Sequence, residues 1–394
     1  MLQAKTEQGN LLTIARFSKE NIKLLREKSN FYCPICHEKV IIRAGPHTIP
    51  HFAHYKTSTC ASQKGGEGPY HEQGKLLLYK WLKNQHLNVT LEKFLPEINQ
   101  RPDLYLNING KKVVIEFQCT RIPIKDIQKR NHTYRKLDIN PIWILGANQL
   151  NRISYNHLKI DHFTMQFIHK YNLKSSSFLY YFCPRTKQFI TIRDLYVINR
   201  NSAIQKNHVE TLRKMNFNHL FFGRRFSYEE LIFLWREKKA QFRLNKRFVR
   251  RGRELAWIQW LYLKRSFVEY LPSEVYLPIP SQYLMKSSLW DWQSRICLEI
   301  IDPLNNGQSF SLQHCVVLLK KHLHNPANFP LIQSTTCPIK EYLSWLVHLR
   351  IIEQITPGHY KKINSLKHFK HIEESMKGDM ELLEKVSSKK PNKI

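Results

Sequence analysis

Two clusters in this 394-residue chain have residue types and spacings that can do chemistry. The first is Cys33-Pro-Ile-Cys36, followed by His51-Phe-Ala-His54 and Cys60. A Cys-x-x-Cys knuckle brings two thiolates to one tetrahedral ion, and a later histidine and cysteine can close the shell. Five candidates compete for four places, and His54 with Cys60 is expected to complete Cys33 and Cys36, with His51 as the alternate. A four-ligand nitrogen and sulfur shell leaves no open position, so the zinc expected here is structural. A redox Cys-x-x-Cys would need a preceding strand and a long following helix, which the β-branched run after Lys39 does not supply.

The second cluster lies around Asn109-Gly110, the favoured two-residue hairpin loop. With that loop, cross-strand partners have numbers summing to 219, which sets Asp103 directly opposite Glu116. Gln118 shares their face, because side chains alternate along a strand. The other face takes Leu104, Leu106, Ile108, Val113, Ile115 and Phe117, all apolar. Two opposed acids repel unless a cation lies between them or one holds a proton. Such a pair suits a hard divalent ion, Mg²⁺ or Mn²⁺, which prefers carboxylate oxygens.

The elements that must position this pair can be read on both sides. Tyr70–His86 has helical periodicity, Val89–Leu95 reads as a strand, and Ile124–Leu137 as a second helix. Pro141–Gly146 is a buried strand. The order is α-β-β-β-α-β, an α/β fold class, preceded by a small β module whose hairpin is Val40–Arg43 with Ile49–Ala53. The expected divisions are 1–66 for the zinc module, 67–155 for the core, 156–370 for a mainly helical basic region and 371–394 for a frayed charged tail.

Pro102-Asp103, twelve residues, then Glu116-Phe117-Gln118 resembles the PD-(D/E)xK nuclease signature, with Gln in the usual Lys position. The element order is that of a restriction-endonuclease-like core. Together with the Cys/His module, the chain more narrowly resembles the competence protein CoiA family over roughly residues 1–150. The resemblance implies a catalytic set of Glu72, Lys75, Asp103, Glu116 and Gln118, with Asp103 and Glu116 ligating Mg²⁺ or Mn²⁺. Lys75 would supply the positive charge that Gln118 lacks, and Arg130 with Tyr134 would meet a phosphate. It also implies hydrolysis of DNA phosphodiesters in natural transformation, on single-stranded or branched recombination intermediates. A RecA-type recombinase and other competence proteins are the implied partners. Two other readings stand beside it: a DNA-binding recombination mediator with a decayed nuclease fold, and a restriction-type endonuclease.

Composition narrows the class independently. Lys and Arg number 62 against 31 Asp and Glu, a net charge of +31, which points to a polyanion, most often nucleic acid. Hydrophobic residues at 42% exclude wholesale disorder. No apolar run approaches the ~20 residues of a bilayer helix, and no secretory leader is visible, so a cytoplasmic protein without membrane insertion is expected. The charge concentrates in Arg236, Lys238, Lys239, Arg243, Lys246, Arg247, Arg250, Arg251 and Arg253, with Glu237 the one nearby acid. These nine are expected to contact DNA. Further on, a helix near Ser311–Leu323, a second at Glu341–Leu349 and a hairpin over Ile351–Ile363 resemble a winged helix, giving a possible unit at 311–363.

Overall fold

The N-terminal module is a five-stranded antiparallel sheet in the order β2-β1-β3-β4-β5. Its elements are β1 (Gln3–Thr6), β2 (Leu11–Thr13), α1 (Lys19–Lys28), β3 (Phe31–Tyr32), β4 (Lys39–Arg43) and β5 (His51–His54). Ser18 caps α1 by accepting from the Asn21 amide. Ala4, Ile22, Phe31, Val40 and Phe52 form its small core. These relations come from a computed structural model, which describes all residues except 46–48, 56–57, 59, 61–67, 174, 245–250, 334–336 and 389–394. The expected boundary glycines Gly65 and Gly66 lie outside the described residues.

The next elements are α2 (Pro69–Lys83), β6 (Asn88–Leu91), β7 (Leu104–Ile108), β8 (Lys111–Gln118), α3 (Ile124–Lys136) and β9 (Ile139–Gly146). Strands β7 and β8 pair in the register set by the Asn-Gly loop, with Leu104 opposite Ile115 and Leu106 opposite Val113. Both loop residues have positive φ, +49° at Asn109 and +79° at Gly110, as a type I′ turn requires. Helix α2 covers the apolar face, where Leu78, Trp81 and Leu82 meet Leu104, Leu106, Ile115 and Phe117. Helix α3 covers the opposite face, with Tyr134 against Tyr105, Val114 and Ile139. Gly74 lets α2 rest on the Phe117 ring, since a Cβ there would come within 1.9 Å of it.

The sheet does not stop near residue 155. It continues through β10 (Arg152–Ser154), β11 (His157–Leu158), α4 (His162–Met165), β12 (Phe178–Cys183), β13 (Gln188–Asn199) and β14 (Ser202–Thr211). The nine strands run β10-β11-β14-β13-β12-β9-β8-β7-β6. Parallel pairing of β12 with β9 joins the two halves, so residues 156–211 belong to the sheet and not to a helical region. The β9 strand that absorbs the β12–β13 hairpin lies some 35 residues upstream, beyond the reach of a local pattern.

The helical region begins at α5 (Tyr228–Leu244) and includes α6 (Gly252–Leu263) and α7 (Leu289–Ile296), which runs on through a π-helical turn at Cys297–Ile301. It ends in β15 (Ser309–Ser311), α8 (Leu312–Leu318), α9 (Pro338–His348), β16 (Ile352–Thr356), β17 (His359–Lys362) and α10 (Ile372–Ser388). The three strands order as β15-β17-β16, with α8 and α9 between β15 and β16 along the chain. Helix α9 buries Ile339, Tyr342, Leu343, Trp345 and Leu346, and the Trp345 indole donates to the Pro278 carbonyl at 3.1 Å. The tail expectation is corrected as well. Leu382, Leu383 and Val386 of α10 enter the core, a helical stripe that the surrounding charges concealed. Among the described residues no helix is long and apolar enough to cross a membrane.

Candidate active site and metal centre

Asp103 and Glu116 sit at the paired ends of β7 and β8, and both are buried. Asp103 is fixed at three points: its carbonyl accepts from the Glu92 amide at 2.9 Å, and Oδ2 accepts from the Phe117 amide at 2.8 Å and faces His71 Nε2 at 3.2 Å. Glu116 Oε1 accepts from Arg130 Nη2 at 2.5 Å and from the Tyr134 hydroxyl. Burial pushes the Glu116 carboxyl up to about 7; Arg130 pulls it down and Asp103 pushes it up further.

Beneath them α2 contributes Glu72 and Lys75. Lys75 is fully buried, with Nζ at 2.5 Å from Glu92 Oε1, 3.4 Å from Glu72 and 3.9 Å from Asp103 Oδ1. Glu92 was not among the expected site residues. It follows β6 with φ +48°, and its Oε2 also accepts from the Leu2 amide at 2.9 Å and faces Arg101 at 3.7 Å. The signal that singled out Glu116, an acid closing an apolar strand, is also present in Val89-Thr-Leu-Glu92. His71 likewise lies nearer the pair than its sequence suggested.

Two expected roles change. Tyr134 is fully buried and positions Glu116, and so does not present its hydroxyl to a phosphate. The reason is that α3 packs over the acid-bearing face, turning its i, i+4 pair inward. Arg130 shares the Glu116 oxygen and keeps its side chain 30% exposed. Gln118 turns away from the acids, and its amide donates to the Thr120 carbonyl at 2.8 Å.

In the N-terminal module the ligand atoms of Cys33, Cys36, His54 and Cys60 lie within 4.8 Å of one another. The Ile35 amide donates to Cys33 Sγ at 3.4 Å, which fixes the knuckle, and His54 Nε2 is 3.3 Å from Cys36 Sγ. His51 is at the other end of β5, with Nδ1 on the Ile49 carbonyl at 2.9 Å, which leaves His54 as the histidine of the set. Burial, with Cys60 and Cys33 adding to it, drives the Cys36 thiol up to about 12. Three thiols crowded together resist ionisation unless a cation joins them, so the donor set fits zinc and could bind it.

Family models bear on the whole chain. The N-terminal domain of competence protein CoiA matches residues 14–63, its nuclease-like domain 67–225 and its C-terminal domain 233–376. The chain belongs to the CoiA family. It is 29% identical over 317 residues to the competence protein CoiA of Bacillus subtilis (strain 168), covering 78% of this chain and 81% of that relative. No solved structure matches. The nuclease-like match, ending at residue 225, includes the full nine-stranded sheet.

The C-terminal cations of this CoiA-family chain divide by environment. Lys239 and Arg243 are buried and do not reach solvent. Arg243 grips Asp379 with two bonds of 2.9 Å and donates to the Leu271 carbonyl at 2.7 Å, while Lys239 donates to Val275 at 2.7 Å. They are structural, and their acid lies 136 residues away in sequence, beyond any local count of charges. Arg236 pairs with Glu384 at 3.4 Å, and Lys238 lies beside His157 at 3.4 Å. Arg251 and Arg253 are exposed; Lys246, Arg247 and Arg250 lie outside the described residues.

Proposed function

We propose that this CoiA-family chain is a metal-dependent nuclease acting on DNA recombination intermediates during natural transformation. The observation that carries the reading is the opposition of Asp103 and Glu116 across a hairpin, buried and held by Lys75, His71, Arg130 and Tyr134. Two hard, opposed carboxylates, one of them raised to about 7 by burial first and by the facing acid after it, fit a divalent ion, and Asp103, Glu116 and the neighbouring Glu72 would hold it. Bound there, Mg²⁺ or Mn²⁺ polarises a phosphoryl oxygen and lowers the pKa of water. The chain's own groups do the rest. Tyr134 and Arg130 orient Glu116, the Phe117 amide orients Asp103, and Lys75 neutralises Glu92 and Glu72. The half-exposed Arg130 and the solvent-facing cations draw in the phosphate backbone. We assign structural zinc to Cys33, Cys36, His54 and Cys60, and cytoplasmic action with a RecA-type recombinase and other competence proteins as partners.

A second reading, a mediator with little or no cleavage, is favoured by one feature. The Gln118 amide points to Thr120, and Lys75 is engaged by three carboxylates, so among the described residues no lysine stands free beside the acids. The test is purified protein with Mn²⁺ on labelled single-stranded, duplex, flap and displacement-loop DNA. The nuclease reading expects structure-dependent cleavage that Asp103→Ala and Glu116→Ala abolish. Tight, salt-sensitive binding with no cleavage under any metal would support the mediator.

A further inference from the structure

At the opposite edge of the sheet from the acid pair, β10, β11 and the β13–β14 turn face the starts of α6 and α7 across a cleft of about 760 Å³. Lys159, Arg200, Arg251, Arg253 and Lys286 line it, against Glu254 and Asp291. Among the described residues none of these five cations forms an ion pair. Arg200 and Arg253 instead converge on one acceptor, the Lys286 carbonyl, at 3.2 and 3.4 Å. Asp291 is drawn aside to Arg295 at 2.7 Å.

Two further features point the same way. Helices α6 and α7 both begin at this cleft, and neither Arg251 nor Ser288 caps its helix with a side chain. Their first amides and dipoles add to the positive field of the side chains. The field is felt nearby: burial first, then His162, Lys286, Arg200 and Arg253, push His324 down to about 4. The cleft also adjoins a smaller compartment of about 160 Å³ lined by Phe242 and Tyr276, with His157, Asn199, Ser202, Glu254, Trp257 and Trp290 common to both. Cationic side chains beside aromatic rings are a pairing that single-stranded nucleic acid uses, backbone on charge and base on ring. Trp257, Tyr276 and Trp290 are themselves buried and pack on one another, so a base would meet the cluster at its edge.

We propose that this cleft binds one single-stranded stretch of nucleic acid, with its phosphates on Arg200, Arg253, Lys159 and Lys286 and a base directed toward the aromatic compartment. The site goes beyond the hydrolytic reading and does not depend on it. It would hold a strand apart from the Asp103–Glu116 pair, so loss of cleavage leaves it intact.

The test uses the full chain and a fluorescein-labelled oligothymidylate followed by anisotropy across a salt series. Arg200→Glu combined with Lys286→Glu alters side chains at the rim, and thermal melting checks that the fold is kept. We expect at least about tenfold weaker binding and a log affinity against log salt slope shallower by about 1.4, or ~0.7 for each phosphate contact removed. Asp103→Ala should bind like the wild type whatever its cleavage. Unchanged single-strand affinity and salt slope in the double variant, with the fold retained, would overturn the proposal.

Discussion

Two of the clusters in which the protein buries charge have different consequences. In the helical region Lys239 and Arg243 meet Asp379, and their remaining donors end on the carbonyls of Ser273, Val275, Val268, Glu269 and Leu271. In the nuclease-like domain Lys75 joins Glu72, Glu92 and Asp103, and Arg130 joins Glu116. The first cluster ties two cations to one shared acid and to fixed backbone carbonyls. The second gathers carboxylates, sets two of them face to face and raises one toward neutrality. Cations tied to backbone carbonyls fasten a fold, whereas a cluster that gathers buried, opposed carboxylates is poised for a ligand.

The comparison can be broken at either end. Asp379→Ala leaves Lys239 and Arg243 buried without their acid, and should lower unfolding free energy by about 3–5 kcal/mol. Chemical denaturation measures this, and cleavage per folded molecule should be unchanged. An effect under about 1 kcal/mol would remove the helical cluster as a fastening.

A smaller effect comes from His169, buried beside the sheet and accepting from the Trp143 amide at 3.1 Å. Burial holds its imidazole down to about 3. A depressed folded value means that the stability it contributes is present above pH 6.5 and drains away as pH falls toward about 3. Between pH 7 and pH 5 the loss should be about 2 kcal/mol, from ~1.4 kcal/mol per pH unit below 6.5. His169→Gln should flatten that acid limb in urea melts taken at the two pH values, and an unaltered limb would place the pH dependence elsewhere.

The smallest expected change is at Gln118. Replacing Gln118 with Lys restores the signature's cation on the strand, and should raise the cleavage rate a few-fold without moving the melting temperature. A fall in rate would show that the amide bond to Thr120, and not the missing charge, is what matters there.

What was legible in the sequence follows sequence distance. The Asp103–Glu116 register could be deduced because a period of two and an Asn-Gly loop fix it within sixteen residues. The Cys/His quartet was legible for a similar reason, although only the strand geometry separates His54 from His51. Glu92, the inward turn of Tyr134 and the pairing of Arg243 with Asp379 were not, since each depends on packing between distant segments. The same holds for the second half of the sheet. Most of the five strands beyond residue 150 fall in the stretch expected to be mainly helical, because the edge that orders them is β9, and the buried face of α10 was masked by its charged neighbours.

The most direct test of the central claim compares wild type with Glu116→Gln on labelled branched DNA in Mn²⁺, with melting temperatures measured on the same samples. Glu116→Gln keeps the shape and relieves the repulsion with Asp103, so the variant should be as stable as the parent or more so. Its cleavage should fall by a factor of about a hundred or more, the scale of losing one charge-stabilising group at a reacting phosphate. Cleavage at the parent rate by a well-folded Glu116→Gln protein would contradict the claim that the opposed acids are the site of chemistry.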